Sequence, residues 1–180
     1  MGENKTEKTN YEIMDAIREY FDDKNVEYSM NNEEGSFLYW MPVMGKMKML
    51  ECFIDVKDTF YNVYAFAPIR SPQNDSRIMG KVAEFICKTN NEIHNGNFGL
   101  DYEDGEILFK SYVNFAGGFL PTKEIIRDSI LSPVALFGRY GDGFIDIILG
   151  GISVDDAISR CEEYTTSHLD ELVEWIRKMG

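Results

Sequence analysis

The sequence has few of the residues that cross-link small proteins through disulfides or bind metals. Its 180 residues include three cysteines and two histidines. Cys52, Cys87 and Cys161 lie far apart and form no Cys-x-x-Cys pair, which argues against a disulfide framework or a zinc site. No apolar run approaches the ~18 to 20 residues of a membrane span, and the charged N-terminus lacks a signal-peptide core. We therefore expect a cytoplasmic protein that has no membrane partner.

Basic residues are also scarce. Lys and Arg number 18 against 31 Asp and Glu, which gives a formal net charge of −13. Nucleic-acid binding depends on cationic side chains that neutralise phosphates, and no basic cluster stands out. We therefore expect no nucleic-acid partner. A strongly acidic surface favours solubility and also suits cationic partners, and the charge balance alone does not choose between these two roles.

The apolar pattern predicts an α+β fold in which an antiparallel sheet packs against helices, in the order α-β-β-β(β)-α-β-β-α-α. Four strand-like runs occupy 26–30, 37–43, 47–57 and 60–67. The short links between them indicate antiparallel neighbours, because parallel strands need a long crossover. We predict a disordered tail at 1–8, one α+β domain at 9–164 and a helical extension at 165–180.

Local signals predict where helices begin and end. Thr9 and Glu12 form a capping-box pattern for a first helix that ends near Lys24. Ser71-Pro72 has the pattern of a second helix start. Ser132-Pro133 predicts a break in a later helix, because proline removes a backbone donor and clashes with the preceding turn.

The clearest structural signal is a hairpin at 98–115. Asp104-Gly105 lies between two alternating apolar runs, which is typical of a two-residue type I′ turn. That turn predicts a register in which Tyr102 faces Ile107 and Leu100 faces Phe109. One face of the hairpin should then be buried, because a slip of one residue would place carboxylates in the core.

We find no catalytic constellation in the sequence. His94 and His168 have no second ligand at metal-binding spacing, so we assign no metal, cofactor-binding or catalytic residue and predict a protein that is not an enzyme. Asp142 and Asp146 lie four residues apart, which is usual for a solvated helix face. A Cys–His pair stays open, since such pairs meet in space and not in sequence.

Methionine and aromatic residues crowd the second to fourth strands. Methionine fills irregular cores or forms adaptable binding surfaces, and closely spaced thioethers can also ligate Cu(I). We interpret the region as core or as a surface for an extended peptide. The candidate partner-binding residues are Trp40, Met41, Met44, Met47, Met49, Tyr64 and Phe66.

The C-terminal segment has an apolar stripe that needs a partner, because monomers rarely expose a large contiguous apolar patch. The stripe either folds back on the sheet or pairs with a second copy of the chain. The candidate dimer contacts are Leu169, Leu172, Trp175 and Ile176.

Two stretches resemble the YbjN-like family of small bacterial proteins. The first is 85–106, where a helix ends in asparagine and is followed by Gly-Asn-Phe and the Asp-Gly hairpin. The second begins at Arg139-Tyr140 and continues through the Gly-Gly turn of 149–153 to Ala157. The resemblance covers 11–162 and implies a fold like that of type III secretion chaperones.

The resemblance also implies a function, although it supplies no catalytic residues. YbjN-like proteins are candidate regulators of sensory transduction or stress responses, and the related chaperones are acidic dimers that bind extended segments of partners. We therefore predict a non-enzymatic, chaperone-like regulatory protein that binds an unidentified protein or peptide. The alternatives are a small-molecule-binding protein or enzyme with a pocket between sheet and helices, and a self-associating module.

Overall fold

The structure is a computed structural model that describes residues 3–116 and 119–179, with side chains outside the description at 3–9, 169, 172, 176 and 179. It confirms the predicted α+β class and the antiparallel sheet. In chain order the elements are α1 (Glu3–Lys24), β1 (Tyr28–Asn31), β2 (Ser36–Pro42), β3 (Met49–Val56), β4 (Phe60–Arg70), α2 (Ser76–Asn90), β5 (Asn97–Leu100), β6 (Glu106–Asn114), α3 (Lys123–Ile148), α4 (Val154–Ser167) and α5 (Leu169–Met179).

The described strands form one six-stranded sheet in the order β1-β2-β3-β4-β6-β5, with every neighbouring pair antiparallel. The first four strands form a meander. Helix α2 then carries the chain past the edge of β4, so β5 becomes the far edge and β6 returns between β5 and β4. No crossover between parallel strands is needed, which agrees with the short links in the sequence.

Alternation along the strands gives the sheet two different faces. The face that we call the inner face carries buried side chains such as Tyr39 on β2, Ile54 on β3 and Val63 on β4, none of which has measurable exposure. Helix α3 packs against β4 and β6 and also contacts each of the other four helices. The core therefore lies between the inner face and the helices.

Aromatic rings fill this core. Phe98 on β5 contacts Phe109, Phe137 and Phe144 with ring centroids 5.0–5.4 Å apart in edge-to-face geometry. At the other end of the sheet, Phe21 of α1 lies 4.8 Å from the ring of Tyr39. Burying one such side chain contributes about 1.5–3 kcal/mol, so these contacts fix the helices to the sheet.

The β5–β6 hairpin exists, but its predicted turn is wrong. Leu100 pairs with Ile107, two residues out of the predicted register, and only Gly105 of the predicted Asp104-Gly105 pair has a positive φ. Asp101 and Asp104 accept hydrogen bonds from the backbone N–H groups of Glu103 and Glu106 and so stabilise a longer loop. The side-chain period is two, so a shift of two leaves the buried face as predicted.

Two helix starts also differ from the predictions. Helix α1 begins at Glu3 and not at Thr9, so the segment that we predicted to be a disordered tail is helical from residue 3 onward. Helix α2 begins at Ser76, four residues after Pro72, and its N-cap is Asp75. The Asp75 carboxylate accepts two backbone N–H bonds at 3.0 and 3.1 Å, which is a stronger cap than Ser71 offers.

The predicted break at Ser132-Pro133 is wrong, because α3 continues through Pro133. Proline in a helix interior costs roughly 3 kcal/mol. That cost is offset by burial of Ile130, Val134 and Phe137 on both sides of it. Gly143 has a packing role further along α3, because a Cβ there would lie 2.5 Å from Phe85 of α2.

Gly105 supplies a sharp test of how the hairpin loop docks on the end of β4. Its φ is +75°, and an added Cβ would lie 1.8 Å from the carbonyl oxygen of Ser71. Gly151 has a similar φ of +66° with nothing within 4 Å of an added Cβ. We expect Gly151→Ala to cost about 1 kcal/mol of unfolding free energy and Gly105→Ala at least ~2 kcal/mol more, measured by urea denaturation. Equal losses would show that the loop does not dock on Ser71.

Candidate functional site

The second face of the sheet, which we call the outer face, carries large apolar side chains that the helices leave uncovered. In the part of the chain that the structure describes, these side chains are half-buried or exposed and do not pack against the core. Trp40 and Met49 are each 46% exposed. The apolar residues of the outer face are Leu38, Trp40, Met49, Phe53, Phe60, Tyr64, Phe66, Leu108 and Tyr112.

Neighbouring rings order this face. Tyr64 and Phe66 are nearly parallel with centroids 6.4 Å apart, and Phe53 lies 6.3 Å from Tyr64 across the β3–β4 ladder. The ammonium group of Lys110 lies 5.2 Å from the centre of the Tyr64 ring. Rings at these distances attract each other weakly, so the face is preformed and not a set of independent side chains.

A groove opens at one end of the outer face, where β3 and β4 separate. The ladder between these strands ends at the pair Glu51 and Phe66, while β4 continues to Arg70. Between Phe66 and Arg70 the β4–β6 register shifts, and Pro68 has no N–H to donate to a neighbouring strand. The groove has a volume of about 880 Å³ and is lined by Trp40, Met49, Glu51, Phe66, Ala67, Pro68, Ile69, Arg70 and Glu106.

The charges of the groove are divided between two places. Arg70, at its far end, forms ion pairs with Asp104 of the hairpin loop and with Glu106 at the start of β6. A backbone N–H bond from Glu106 and the Arg70 guanidinium together hold the pKa of Asp104 below its usual value. Glu51 lies between Trp40 and Phe66, and it forms no ion pair with any residue that the structure describes.

The structure separates the predicted partner-binding residues into three groups. Trp40, Met49, Tyr64 and Phe66 lie together on the outer face. Met44 is half-buried in the loop between β2 and β3. Their role in binding stays a prediction.

Met41 and Met47 are corrections to that predicted surface. They are only 4% and 6% exposed and belong to the core. Met41 is on the inner face because alternation along β2 places it opposite to Trp40. Met47 is buried because its loop docks on α3, where its sulfur would lie 3.1 Å from a Cβ at Gly141.

Most of the predicted dimer contacts are residues whose side chains the structure does not describe. The side chains of Leu169, Leu172 and Ile176 are not described. Trp175 is half-buried and packs against the core, and α5 contacts α3. Trp175 therefore packs within its own chain, where α5 contacts α3 and α4, whereas the predicted fold-back on the sheet and dimerisation both stay predictions.

Some polar groups inside the core have hydrogen-bond partners, whereas the buried hydroxyls of Tyr39 and Ser111 have none among the described residues. The Tyr61 hydroxyl lies 3.0 Å from that of Ser129, and burial raises the pKa of Tyr61 to about 12. Burial likewise raises the pKa of the Cys161 thiol to about 11, which disfavours the reactive thiolate. His168 stacks on Tyr164 with centroids 4.3 Å apart.

Two further findings bear on membrane and metal binding. Among the described residues, no three His, Cys, Asp or Glu side chains converge in a way that would bind a metal ion. None of the helices in the described ranges combines the length and apolar character that crossing a membrane requires.

Sequence reasoning missed part of the site. Phe53 and Leu108 belong to the outer face, and their alternation with buried neighbours could have identified them. Arg70 and Pro68 line the groove, where a proline inside an otherwise regular strand is a signal for a bulge or an edge. No local signal indicates that Glu106 meets Arg70, since 36 residues separate them in the chain.

Comparison with known proteins supports the fold. The crystal structure of YbjN from E. coli, described as a candidate transcription regulator, matches with a TM-score of 0.50 at 16% sequence identity, covering 72% of this chain and 91% of that chain. No family model and no curated protein matches the sequence. The fold is therefore YbjN-like, as the sequence resemblance predicted, and at this identity the similarity shows the fold alone.

The buried and the exposed methionines predict effects of different size on stability. We expect Met47→Ala to lower the free energy of unfolding by about 2–4 kcal/mol, because it leaves a cavity against α3. We expect Met49→Ala on the outer face to change it by less than about 1 kcal/mol. Urea denaturation of both variants measures the difference. A small effect of Met47→Ala would contradict its burial.

The Arg70 ion pairs can be tested through the titration of Asp104. We expect Arg70→Gln to raise the pKa of Asp104 while leaving it below its usual value, because the Glu106 N–H bond remains. A carboxylate with a lowered folded-state pKa stabilises the fold above its unfolded pKa and loses that contribution as the pH falls through the folded pKa. Carbon-detected NMR titration measures the shift, and Arg77→Gln on α2 is the control. An unchanged Asp104 pKa in Arg70→Gln would contradict the pairing.

Proposed function

We propose that this chain, with its YbjN-like fold, is a non-enzymatic regulatory protein that binds an extended segment of a partner protein on its outer face. The observation that carries the proposal is the preformed aromatic surface that no described helix covers. Contiguous exposed apolar patches of this kind are typical of interaction sites. Trp40 and Tyr64 are residue types that often dominate binding energy.

The shape of the groove favours an extended segment over a folded domain. Where β3 and β4 separate, residues 67–69 have no ladder partner on β3. A strand-like peptide can use such backbone groups for main-chain hydrogen bonds, while its alternate side chains enter apolar pockets. Trp40 and Phe66 line the groove, where they would contact such side chains.

The charge of the chain indicates which class of partner it would bind. YbjN is described as a candidate transcription regulator, and this description concerns YbjN and not the present chain. A net charge of −13 is unfavourable for contact with phosphates, so we expect this chain to act through proteins and not through nucleic acid. A cytoplasmic location is part of the same proposal.

The interior alternative has less support. A pocket between sheet and helices would need space there, but large side chains with less than 2% exposure, such as Tyr39, Tyr61 and Phe109, occupy this layer. The groove of about 880 Å³ lies on the opposite side of the sheet. A homodimer stays a prediction in addition to the proposed peptide binding.

Phage display with random 12-residue peptides tests the proposal. We expect the immobilised protein to enrich a set of related sequences. Binding of the enriched peptides to Trp40→Ala should be at least about tenfold weaker, because a partly exposed aromatic anchor is removed without disturbing the core. Fluorescence anisotropy with labelled peptides measures the affinities.

Tyr102→Ala is the matched control, because Tyr102 is an exposed aromatic residue of the hairpin loop and lies off the outer face. This variant should bind the enriched peptides as the unmodified protein does. The proposal is wrong if no sequence is enriched, or if the enriched peptides bind Trp40→Ala unchanged.

A further inference from the structure

A single carboxylate stands between two aromatic side chains in the groove. The strand register places Trp40 of β2 directly opposite Glu51 on one side and Phe66 of β4 directly opposite it on the other. Neighbouring strands lie about 4.8 Å apart, so the two rings flank the carboxylate across the sheet. All three residues line the groove, and we call them the Trp40–Glu51–Phe66 row.

Glu51 forms no ion pair with any described residue, and the lysines near the row, Lys24 and Lys178, line a separate pocket with Trp40 and Met49. Arg70 is the cation in the lining of the groove, and it is already paired with Asp104 and Glu106. Lys110 of β6 lies over the ring of Tyr64, which precedes Phe66 by two residues on β4. The Glu51 side chain is exposed and accepts no hydrogen bond from any described side chain or backbone N–H.

A carboxylate between two aromatic residues is complementary to a planar organic cation. The faces of Trp and Phe rings attract cations, and Trp does so most strongly. A carboxylate accepts paired hydrogen bonds from a guanidinium group, whose flat shape also stacks on rings. A lysine ammonium group offers a point charge without the planar fork, so it matches the row less well.

We infer that the segment bound in the groove carries an arginine whose guanidinium group occupies the Trp40–Glu51–Phe66 row. This inference rests on the proposed function, because the arginine arrives as part of the bound segment. The overall net charge of −13 favours the approach of such a cationic segment. The ion pair would also fix the register of the segment, since only one position along it then meets Glu51.

Three series of nine-residue peptides test the inference. Each series has random apolar residues at alternate positions, and the central residue is arginine, lysine or the neutral isostere citrulline. We expect the arginine series to bind about tenfold more tightly than the citrulline series at low salt. A Trp175→Phe protein leaves Trp40 as the single tryptophan, so its fluorescence reports binding at the row.

The Glu51→Gln variant separates this inference from the proposed function. It should reduce the preference for arginine over citrulline from about tenfold to about threefold or less, the part that the Trp40 and Phe66 rings supply, with the affinity for citrulline unchanged. Glu103→Gln is the matched control, because it removes one exposed acid of the hairpin loop and changes the net charge by the same amount. It should keep the preference for arginine.

Each other outcome is decisive. Equal binding of arginine and citrulline by the unmodified protein, or a preference that persists undiminished in Glu51→Gln, overturns the inference and leaves the proposed function standing. Equal binding of lysine and arginine overturns the assignment to a guanidinium group. If none of the three series binds, both the inference and the proposed function are wrong.

Discussion

The packing of α3 on the inner face of β4 and β6 is the contact on which the rest of the structure depends. This helix contacts all four other helices as well as the sheet, so the helical layer is built around it. Its buried rings Phe137 and Phe144 meet Phe98 of the edge strand β5. Because a helix layer covers one side of a sheet only, committing α3 to the inner face leaves the outer face to solvent or to a partner.

That commitment gives the outer face its unusual character. Sheets with one solvated face usually alternate apolar and polar residues, whereas here β3 and β4 carry Phe53, Tyr64 and Phe66 on the side without helices. These rings contribute little to the core and remain partly accessible to water. Beyond Phe66, β4 leaves its ladder with β3 and its register on β6 shifts, and a groove with a charged end lies there.

The sequence predicted the fold class, the antiparallel order and the buried face of the hairpin, because these depend on local alternation and link length. It failed where distant groups compete with local signals. The predicted type I′ turn at Asp104-Gly105 lost to a longer loop whose carboxylates bond their own backbone and Arg70. Helix α3 continues through Pro133 because packing on both sides outweighs the local cost.

The candidate site was half predictable for the same reason. Trp40, Met49, Tyr64 and Phe66 share a face through strand alternation, which the chain encodes locally. Met47 could not be placed in this way, since its burial depends on a loop docking against α3 nearly 100 residues later in the sequence.

The amino-acid sequence by itself determined which side chains share a face of each strand, because the period of two is a local property of extended backbone. It also determined the acidic balance that disfavours nucleic-acid partners. Only the tertiary structure decided which face the helices cover, where β3 and β4 part, and that Glu51 lies between Trp40 and Phe66. Those features depend on contacts between residues far apart in the chain, where packing and not local propensity selects the arrangement.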